Sequence, residues 1–504
     1  MTNEWKAGIA IAVLLAALAV PLVAPAQEAA PPKKTELIAV DEIKPGMKGY
    51  GLTVFKGTEI EKFEVEVIDV LKNYFPKQDI IMIKCTHPVT DHANIIGGMS
   101  GSPIYLEGRL AGALAYGFVG FAKDPIAGVT PIHKMLEVLE RPVEQSRLPH
   151  EPVRYEDDVL KPCMIPLMVS GITCGTLKRF KPELEKLGLD AFAGGGAGHY
   201  MDLDIPLEPG SAVGIQLMRG DWSLDGVGTV TYRDGDKLAV FGHSMLDGGQ
   251  ICMPMTTAYV NQVMASMSRS FKMATTVKAV GTFSQDRMAA CTGTFGPACP
   301  MVPLDITVKN KATDYTAKYK LEMIQQEQIT PLLLNMALSN ALDTAEPGGF
   351  SSRTIWFELT LHLKDMKTLV LSDMIEGDRI GMAGMPAMLL MGNPFKKVQL
   401  ERAEINVSVR TKQLVASIES VVLDTIEVKP GATLTLGVTL RPFDSPTVKR
   451  ELKVTIPGNM PAGEYEIAVA NGPESFEPPS ADSIEDIVQA LSERYKSNEL
   501  VATH

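Results

Sequence analysis

The sequence predicts a mainly β protein, and three observations support this. Short apolar runs separated by turn residues fill the N-terminal part, at residues 37–40, 49–55, 63–71 and 80–84. The pair Asp234-Gly235 stands between two apolar runs, which indicates a hairpin. Strand-like runs with Pro-Gly turns recur at residues 403–409, 414–422, 433–440 and 451–456, and this spacing predicts an immunoglobulin-like β-sandwich over residues 350–472.

Helices are predicted at only four places. Thr130-Pro131 starts the first, because a proline in the first helical turn loses no intrahelical hydrogen bond. Proline also stands early in the second and third, and acidic residues follow a serine in the last. The predicted helices cover residues 132–139, 182–187, 328–343 and 480–497.

The composition is that of an ordinary globular protein. The 504 residues are 45% hydrophobic and 21% charged, enough for two to four domains with their own cores. A formal net charge of -12, without a basic run, argues against a nucleic-acid partner.

The N-terminus has the pattern of a secretory signal peptide. Lys6 precedes an apolar run at residues 7–24, and Ala24-Pro25-Ala26 provides a small-residue exit. We predict cleavage after Ala26 and export to the periplasm or the extracellular space. The alternative is an uncleaved membrane anchor, which Pro21 disfavours because it interrupts a run near the lower length limit for spanning.

Six cysteines would then meet an oxidising compartment, where disulfides form. The pairs close in sequence are Cys163/Cys174 and Cys291/Cys299, but six cysteines fix no connectivity. No cysteine spacing matches a zinc site, and no metal or organic cofactor is implied.

Changes in composition predict seven segments. They are a signal peptide (1–26), a linker (27–34), a serine-bearing β domain (35–142), a connecting segment (143–206), a histidine-bearing β domain (207–345), the sandwich (350–472) and a C-terminal helix and tail (478–504).

A glycine-rich loop holds the candidate nucleophile. Residues 98–103 read Gly-Met-Ser-Gly-Ser-Pro between two apolar runs, which places Ser100 on a tight turn. Glycines let backbone N–H groups approach a substrate carbonyl, so the amides of Gly98 and Ser100 are the candidate oxyanion hole. The alternative is an ordinary turn, since Gly, Ser and Pro are common turn residues.

The surrounding residues carry a family resemblance. Residues 95–139, IIGGMSGSPIYLEGRLAGALAYGFVGFAKDPIAGVTPIHKMLEVL, resemble the serine-bearing segment of the SpoIVB-type serine peptidases, which belong with the trypsin-like peptidases. The resemblance implies that Ser100 is the nucleophile and that the fold is a trypsin-like double β-barrel.

His243 is the candidate base among eight histidines. Residues 227–232 and 240–243, a Gly-Thr strand and a Gly-His after a hairpin, resemble the segment that carries the catalytic histidine in the same family. In that family the histidine precedes the serine, whereas here Ser100 comes first. The resemblance therefore implies a circularly permuted barrel pair, in which remote segments must pack together.

The orienting acid of a triad stays open. The family's aspartate lies in a Thr-Asp-Pro-like context upstream of the serine. Matched through Pro88, the region here has His87 in place of the acid, and matched through Thr90-Asp91 it keeps the acid and loses the proline. Asp247, four residues after His243, is the other candidate. A dyad without an acid is a third alternative. Asp286-Arg287 is interpreted as a structural ion pair.

These observations predict an exported serine endopeptidase of SpoIVB type, acting through an acyl-enzyme on a protein or peptide, including the chain itself. The alternative is a non-catalytic cell-envelope scaffold or binding protein that retains the peptidase fold. Such a protein would bind a cell-envelope protein as its partner.

Overall fold

A computed structural model describes residues 35–118, 123–142, 160–196, 202–311, 313–345, 354–376, 383–410, 412–476 and 480–503. The predicted signal peptide and the predicted linker both lie outside these residues. Strands account for 50% and helices for 16% of the structure, which confirms a mainly β protein. Within the described residues, no helix is both long enough and apolar enough to cross a membrane.

The serine-bearing region forms a closed barrel of six strands. Its elements are β1 (Lys48–Thr53), β2 (Glu61–Phe75), β3 (Gln78–Thr86), α1 (Pro88–Ala93), β4 (Pro103–Leu106), β5 (Arg109–Phe118), β6 (Ile126–Pro131) and α2 (Ile132–Leu139). The strand order is β4-β1-β2-β3-β6-β5, and β4 pairs with both β1 and β5 to close the ring. Phe63, Val65 and Val67 alternate inward along β2, as the strand period requires.

A second ring of six strands carries the histidine. This region contains β7 (Leu160–Pro162), β8 (Ile165–Ser170), α3 (Cys174–Lys186), β9 (Leu189–Ala193), β10 (Ala212–Gly220), β11 (Ser223–Asp234), β12 (Lys237–Val240), β13 (Gly249–Met264), β14 (Phe271–Arg287), β15 (Ala290–Phe295), β16 (Val302–Asn310) and β17 (Tyr315–Met323). The order β10-β13-β14-β15-β12-β11 is closed by pairing of β10 with β11. The predicted hairpin at Asp234-Gly235 joins β11 to β12.

One strand-like connection runs from the first barrel to the second. β7 pairs with β5 of the first barrel, and β8 pairs with β11 of the second. Isolated bridges between Gly57 and Val260 and between Gly97 and Phe271 add further contacts between the two barrels.

The C-terminal third extends the 13-stranded sheet that includes the second ring, and it also forms two small separate sheets. Its elements are α4 (Thr330–Ala345), β18 (Thr354–Leu363), β19 (Leu369–Glu376), α5 (Gly384–Met391), β20 (Leu400–Arg410), β21 (Ala416–Leu423), β22 (Thr433–Pro442), β23 (Val448–Thr455), β24 (Ala468–Asn471), α6 (Ile484–Glu493) and β25 (Leu500–Thr503). β20 pairs in parallel with β16, and β21–β23 form a separate three-stranded sheet. This arrangement does not confirm the predicted immunoglobulin-like sandwich.

Two helix predictions are confirmed and one has the wrong start. α2 has the predicted bounds, and α4 lies within two residues of its prediction. α3 begins at Cys174 rather than at Pro182, because the Thr173 hydroxyl accepts a hydrogen bond from the Thr176 N–H and caps an earlier turn. Pro182 lies inside that helix.

Cys252 and Cys299 form a disulfide, so neither pair of cysteines close in sequence is bonded. Cys252 lies on β13 and Cys299 precedes β16, and their encounter depends on strand packing rather than on sequence distance. Cys85, Cys163 and Cys291 are free and buried, and Cys174 is free and exposed.

Candidate active site

The serine loop has a backbone that only glycine adopts readily at two positions. Gly98 and Gly101 have φ of +92° and +93°. A Cβ atom at Gly101 would lie 1.9 Å from the carbonyl oxygen of Thr229, so no side chain fits there. The loop is therefore held tightly against β11 of the second barrel.

Two amides of this loop differ from their neighbours. The N–H groups of Gly97, Met99, Gly101 and Ser102 each donate to a main-chain carbonyl oxygen at 2.8–3.0 Å. The N–H groups of Gly98 and Ser100 make no hydrogen bond with any described residue. These are the two amides predicted from the sequence as the oxyanion hole, and the loop leaves both available as donors.

β11 of the second barrel orients the loop from behind. The Thr229 N–H donates to the Ser100 carbonyl at 2.9 Å, and the Thr229 hydroxyl donates to the Gly98 carbonyl at 2.9 Å. The Thr231 hydroxyl donates to the Gly101 carbonyl at 2.7 Å. Three loop carbonyls are thus turned toward β11.

The turn after β12 brings His243 onto the first barrel. Phe241 and Gly242 both have positive φ, +67° and +72°, and reverse the chain just before His243. The Gly242 carbonyl accepts a 2.6 Å hydrogen bond from the Thr130 hydroxyl of β6. A Cβ atom at Gly242 would lie 2.9 Å from Cβ of Ala113, so the histidine turn packs closely against β5.

The His243 imidazole has one engaged nitrogen and one without a partner. Nδ1 lies 2.7 Å from the Ser244 carbonyl oxygen, and a carbonyl can only accept. Nδ1 is therefore the protonated nitrogen of the neutral ring, and Nε2 carries the lone pair. Nε2 is buried and has no partner of standard hydrogen-bond geometry among the described residues, although the Cys163 carbonyl also lies close to the ring.

Burial lowers the pKa of His243 below its ordinary value. The carbonyl groups of Ser244 and Cys163 and the charge of Asp286 oppose this shift without cancelling it. The ring is therefore neutral at neutral pH, the form that a general base requires.

The structure brings the two predicted catalytic loops to the same stretch of β5. The Gly101 N–H and the Ser102 carbonyl both hydrogen-bond Leu114, and the residues on either side of Leu114 contact the histidine turn. Ser100 and His243 are 0% and 3% exposed. The Ser100 hydroxyl and His243 Nε2 form no hydrogen bond with each other, and neither has another partner in the described part of the chain.

The two predicted acids lie in different surroundings. Asp91 is exposed on α1, where it contributes to raising the pKa of Lys84. Asp247 is nearly buried, has a φ of +52°, and belongs to the turn that follows His243. Of these two acids, Asp247 is therefore the one that is buried and close to His243 in the sequence.

Asp286 holds the histidine turn through partners that the sequence did not reveal. Its carboxylate accepts the N–H groups of Met245 and Leu246 at 2.7 Å and that of Gly248 at 3.2 Å. It also accepts the Cys291 thiol at 3.0 Å. The predicted structural role is right in kind, but the partners are main-chain amides rather than Arg287.

Lys272 is a second residue that sequence reasoning missed. It is 0% exposed on β14, beside the serine loop, and burial lowers its pKa to about 7. Its main-chain N–H donates to the Gly97 carbonyl at 2.9 Å. The available signal was its position two residues before Ala274 on a strand, which puts both side chains on one face.

No cluster of His, Cys, Asp or Glu that could hold a metal ion occurs in the ranges that the structure describes. The chemistry available at the loop pair is that of a hydroxyl, a neutral imidazole and two free amides.

Comparison with protein families bears on the serine-bearing barrel. Residues 22–136 match the family described as SpoIVB peptidase S55, a segment that includes Ser100 and ends before His243. This match supports a SpoIVB-type relationship for the serine-bearing part of the chain. The match to this family supports the interpretation of the protein as a peptidase, and the family name is consistent with a serine peptidase.

Other comparisons add little to the S55 match. No curated protein matches the chain. Two solved superantigen-like proteins from Staphylococcus aureus, one in complex with sialyl-Lewis X, are 12% and 10% identical to it. Each match covers 40% of this chain and 93% of the other, with a TM-score of 0.15, which carries no argument.

Proposed function

We propose that the protein is an exported serine endopeptidase of SpoIVB type, with Ser100 as nucleophile and His243 as general base. The observation that carries the proposal is the pattern of loop hydrogen bonds, in which only the Gly98 and Ser100 amides are left free beside the buried hydroxyl. The S55 match over the same loop supports it.

In the proposed reaction, the Ser100 oxygen attacks the carbonyl carbon of a peptide bond while His243 Nε2 takes the hydroxyl proton. The Gly98 and Ser100 N–H groups donate to the oxyanion that forms. When the C–N bond breaks, His243 returns the proton to the leaving amine. Water then hydrolyses the acyl-enzyme by the same route and restores the serine.

The Ser244 carbonyl would orient the imidazole in this scheme, because it fixes Nδ1–H and leaves Nε2 as the acceptor. Asp247 and Asp91 stay candidates for the third member. The buried position of Asp247 in the histidine turn favours it over the exposed Asp91.

A specific observation favours the alternative, a non-catalytic envelope scaffold. Ser100 and His243 are buried and form no hydrogen bond with each other, so a substrate reaches the hydroxyl only if the loops open. A scaffold that retained the barrel without catalysis would need no such opening.

Labelling with a fluorophosphonate, followed by peptide mass spectrometry, separates the two functions. We expect a covalent adduct at Ser100 in the full-length protein, abolished in Ser100→Ala and in His243→Ala. Ser102→Ala is the matched control, because the Ser102 hydroxyl is also buried and has no hydrogen-bond partner among the described residues. This variant should label like the wild type. A folded wild-type protein that never labels at Ser100 would support the scaffold.

A further inference from the structure

Lys272 is a buried lysine without an acidic partner. Its side chain has no ion pair with any described residue, and desolvation alone accounts for its lowered pKa. Burying an amine in this way is unfavourable unless hydrogen bonds compensate. Methionine would fill a similar volume without that cost, so packing alone does not explain a lysine at this position.

The amine donates to hydroxyls from both barrels. Nζ lies 2.7 Å from the Thr53 hydroxyl at the end of β1 and 3.5 Å from the Thr229 hydroxyl of β11. Thr229 uses its own hydroxyl proton to donate to the Gly98 carbonyl, so toward Lys272 it can only accept. A directional chain therefore runs from the Lys272 amine through Thr229 to the carbonyl of Gly98.

The aliphatic part of the same side chain supports the loop directly. A Cβ atom at Gly98 would lie 3.2–3.3 Å from three carbons of Lys272, so the lysine stem lies against the Gly98 backbone. Lys272 thus acts on two consecutive residues of the loop. Its main-chain N–H binds Gly97, its stem lies against Gly98, and its amine acts on Gly98 through Thr229.

We infer that Lys272 is a positioning residue for the oxyanion hole, which holds the Gly98 carbonyl toward β11 through Thr229. This inference rests on the proposed peptidase function. The Gly98 carbonyl is the group whose rotation would bring a partial negative charge next to the two free amides. With the carbonyl fixed on the Thr229 side, the amides of Gly98 and Ser100 stay directed at the position of the developing oxyanion.

The test measures the maximal labelling rate of Ser100 and the fluorophosphonate concentration giving half that rate, together with the melting temperature. In Lys272→Met we expect the maximal rate to fall about tenfold or more, because a displaced oxyanion donor is costly. The half-saturating concentration should stay unchanged, and the melting temperature should be equal or higher. Lys278→Met, at an exposed lysine of the same strand, should label like the wild type.

A second pair of variants tests the Thr229 link without touching the lysine. Thr229→Ser keeps the hydroxyl and should label faster than Thr229→Val, which should show the slow rate of Lys272→Met. The double variant Lys272→Met/Thr229→Val should be no slower than the slower single variant, because both remove one chain of hydrogen bonds.

The outcomes distinguish this inference from the function on which it rests. Wild-type labelling at Ser100 together with unchanged labelling in Lys272→Met overturns the positioning role and leaves the peptidase standing. A slower rate that accompanies a lower melting temperature and recovers on cooling indicates a purely structural lysine and also overturns it. A wild-type protein that never labels overturns the peptidase and this role together.

Discussion

At the residue scale, the proposed chemistry depends on His243, whose two ring nitrogens differ because only one of them contacts the Ser244 carbonyl. The Ser244 oxygen holds Nδ1–H, and burial keeps the ring neutral. A general base of this kind works only while Nε2 is unprotonated. The pH at which the imidazole charges is therefore a direct measure of the environment that the structure gives it.

We predict that the acid limb of the Ser100 labelling rate lies below pH 6.5, because burial lowers the pKa of His243 in the folded protein. The same shift has a consequence for stability. Below pH 6.5 the unfolded chain binds a proton that the folded chain does not, so this group makes the free energy of unfolding decrease as the pH falls. Labelling rates between pH 4 and pH 8 test the first expectation, and urea unfolding over the same range tests the second. An acid limb above pH 6.5 would contradict the assignment of a desolvated His243 as the base.

At this scale the sequence predicts candidate residues whose signals are local. Ser100 with its glycines, and His243 after a hairpin, have patterns that can be read from a few neighbours. Asp286 and Lys272 could not be found in this way, because their roles depend on partners 38–41 and 43–219 residues away in the chain. In the sequence, each of them is recognisable only as an ionisable residue at a strand position that faces the interior.

At the scale of single elements, the turn from Met245 to Gly248 depends on a carboxylate from a different strand. Asp286 on β14 satisfies three N–H groups of this turn, which has no regular secondary structure to satisfy them. The position of the imidazole therefore depends on a side chain 43 residues later in the sequence.

We predict that Asp286→Asn lowers the free energy of unfolding by about 2–4 kcal/mol, because an amide group cannot accept all of these hydrogen bonds. Hydrogen exchange at the amides of Met245, Leu246 and Gly248 should become faster, and Ser100 labelling should slow because His243 is less well oriented. Asp204→Asn, at an exposed aspartate, should leave all three quantities within error of the wild type. Unchanged exchange at these amides in Asp286→Asn would show that the carboxylate does not hold the turn.

The start of a helix could be predicted from the sequence at α2, whereas at α3 a proline indicated the wrong start. α2 begins at the predicted residue, with Pro131 as its N-cap, although no side chain caps the helix and the Thr130 hydroxyl donates to Gly242 instead. The proline in α3 suggested a helix start, but the Thr173 cap nine residues earlier determines where the helix begins.

For the whole molecule, the β class follows from strand patterns, whereas the pairing of remote strands does not. Closure of the first barrel by β4, and the parallel pairing of β16 with β20, join segments that no local pattern relates. The predicted double barrel agrees with the two closed rings of six strands, while the circular permutation stays a prediction.

The disulfide between Cys252 and Cys299 provides a prediction at this scale. It closes a loop of 47 residues, which in the chain-entropy description stabilises the folded state by about 4 kcal/mol. Reduction with dithiothreitol should lower the free energy of unfolding by about this amount, measured by urea unfolding. Cys252→Ser/Cys299→Ser should show the lowered value without reductant and no further change with it. An equal effect of reductant on the wild type and the double variant would place the disulfide elsewhere.

The contacts of the serine loop with β11 and β14 have a consequence for the newly made chain. Ser100 leaves the ribosome 143 residues before His243 and 172 before Lys272. Until those later strands are synthesised and folded, the hydroxyl lacks both the proposed base and the strands that support its loop. If the proposed mechanism is right, a nascent or truncated chain that ends before these strands has no peptidase activity.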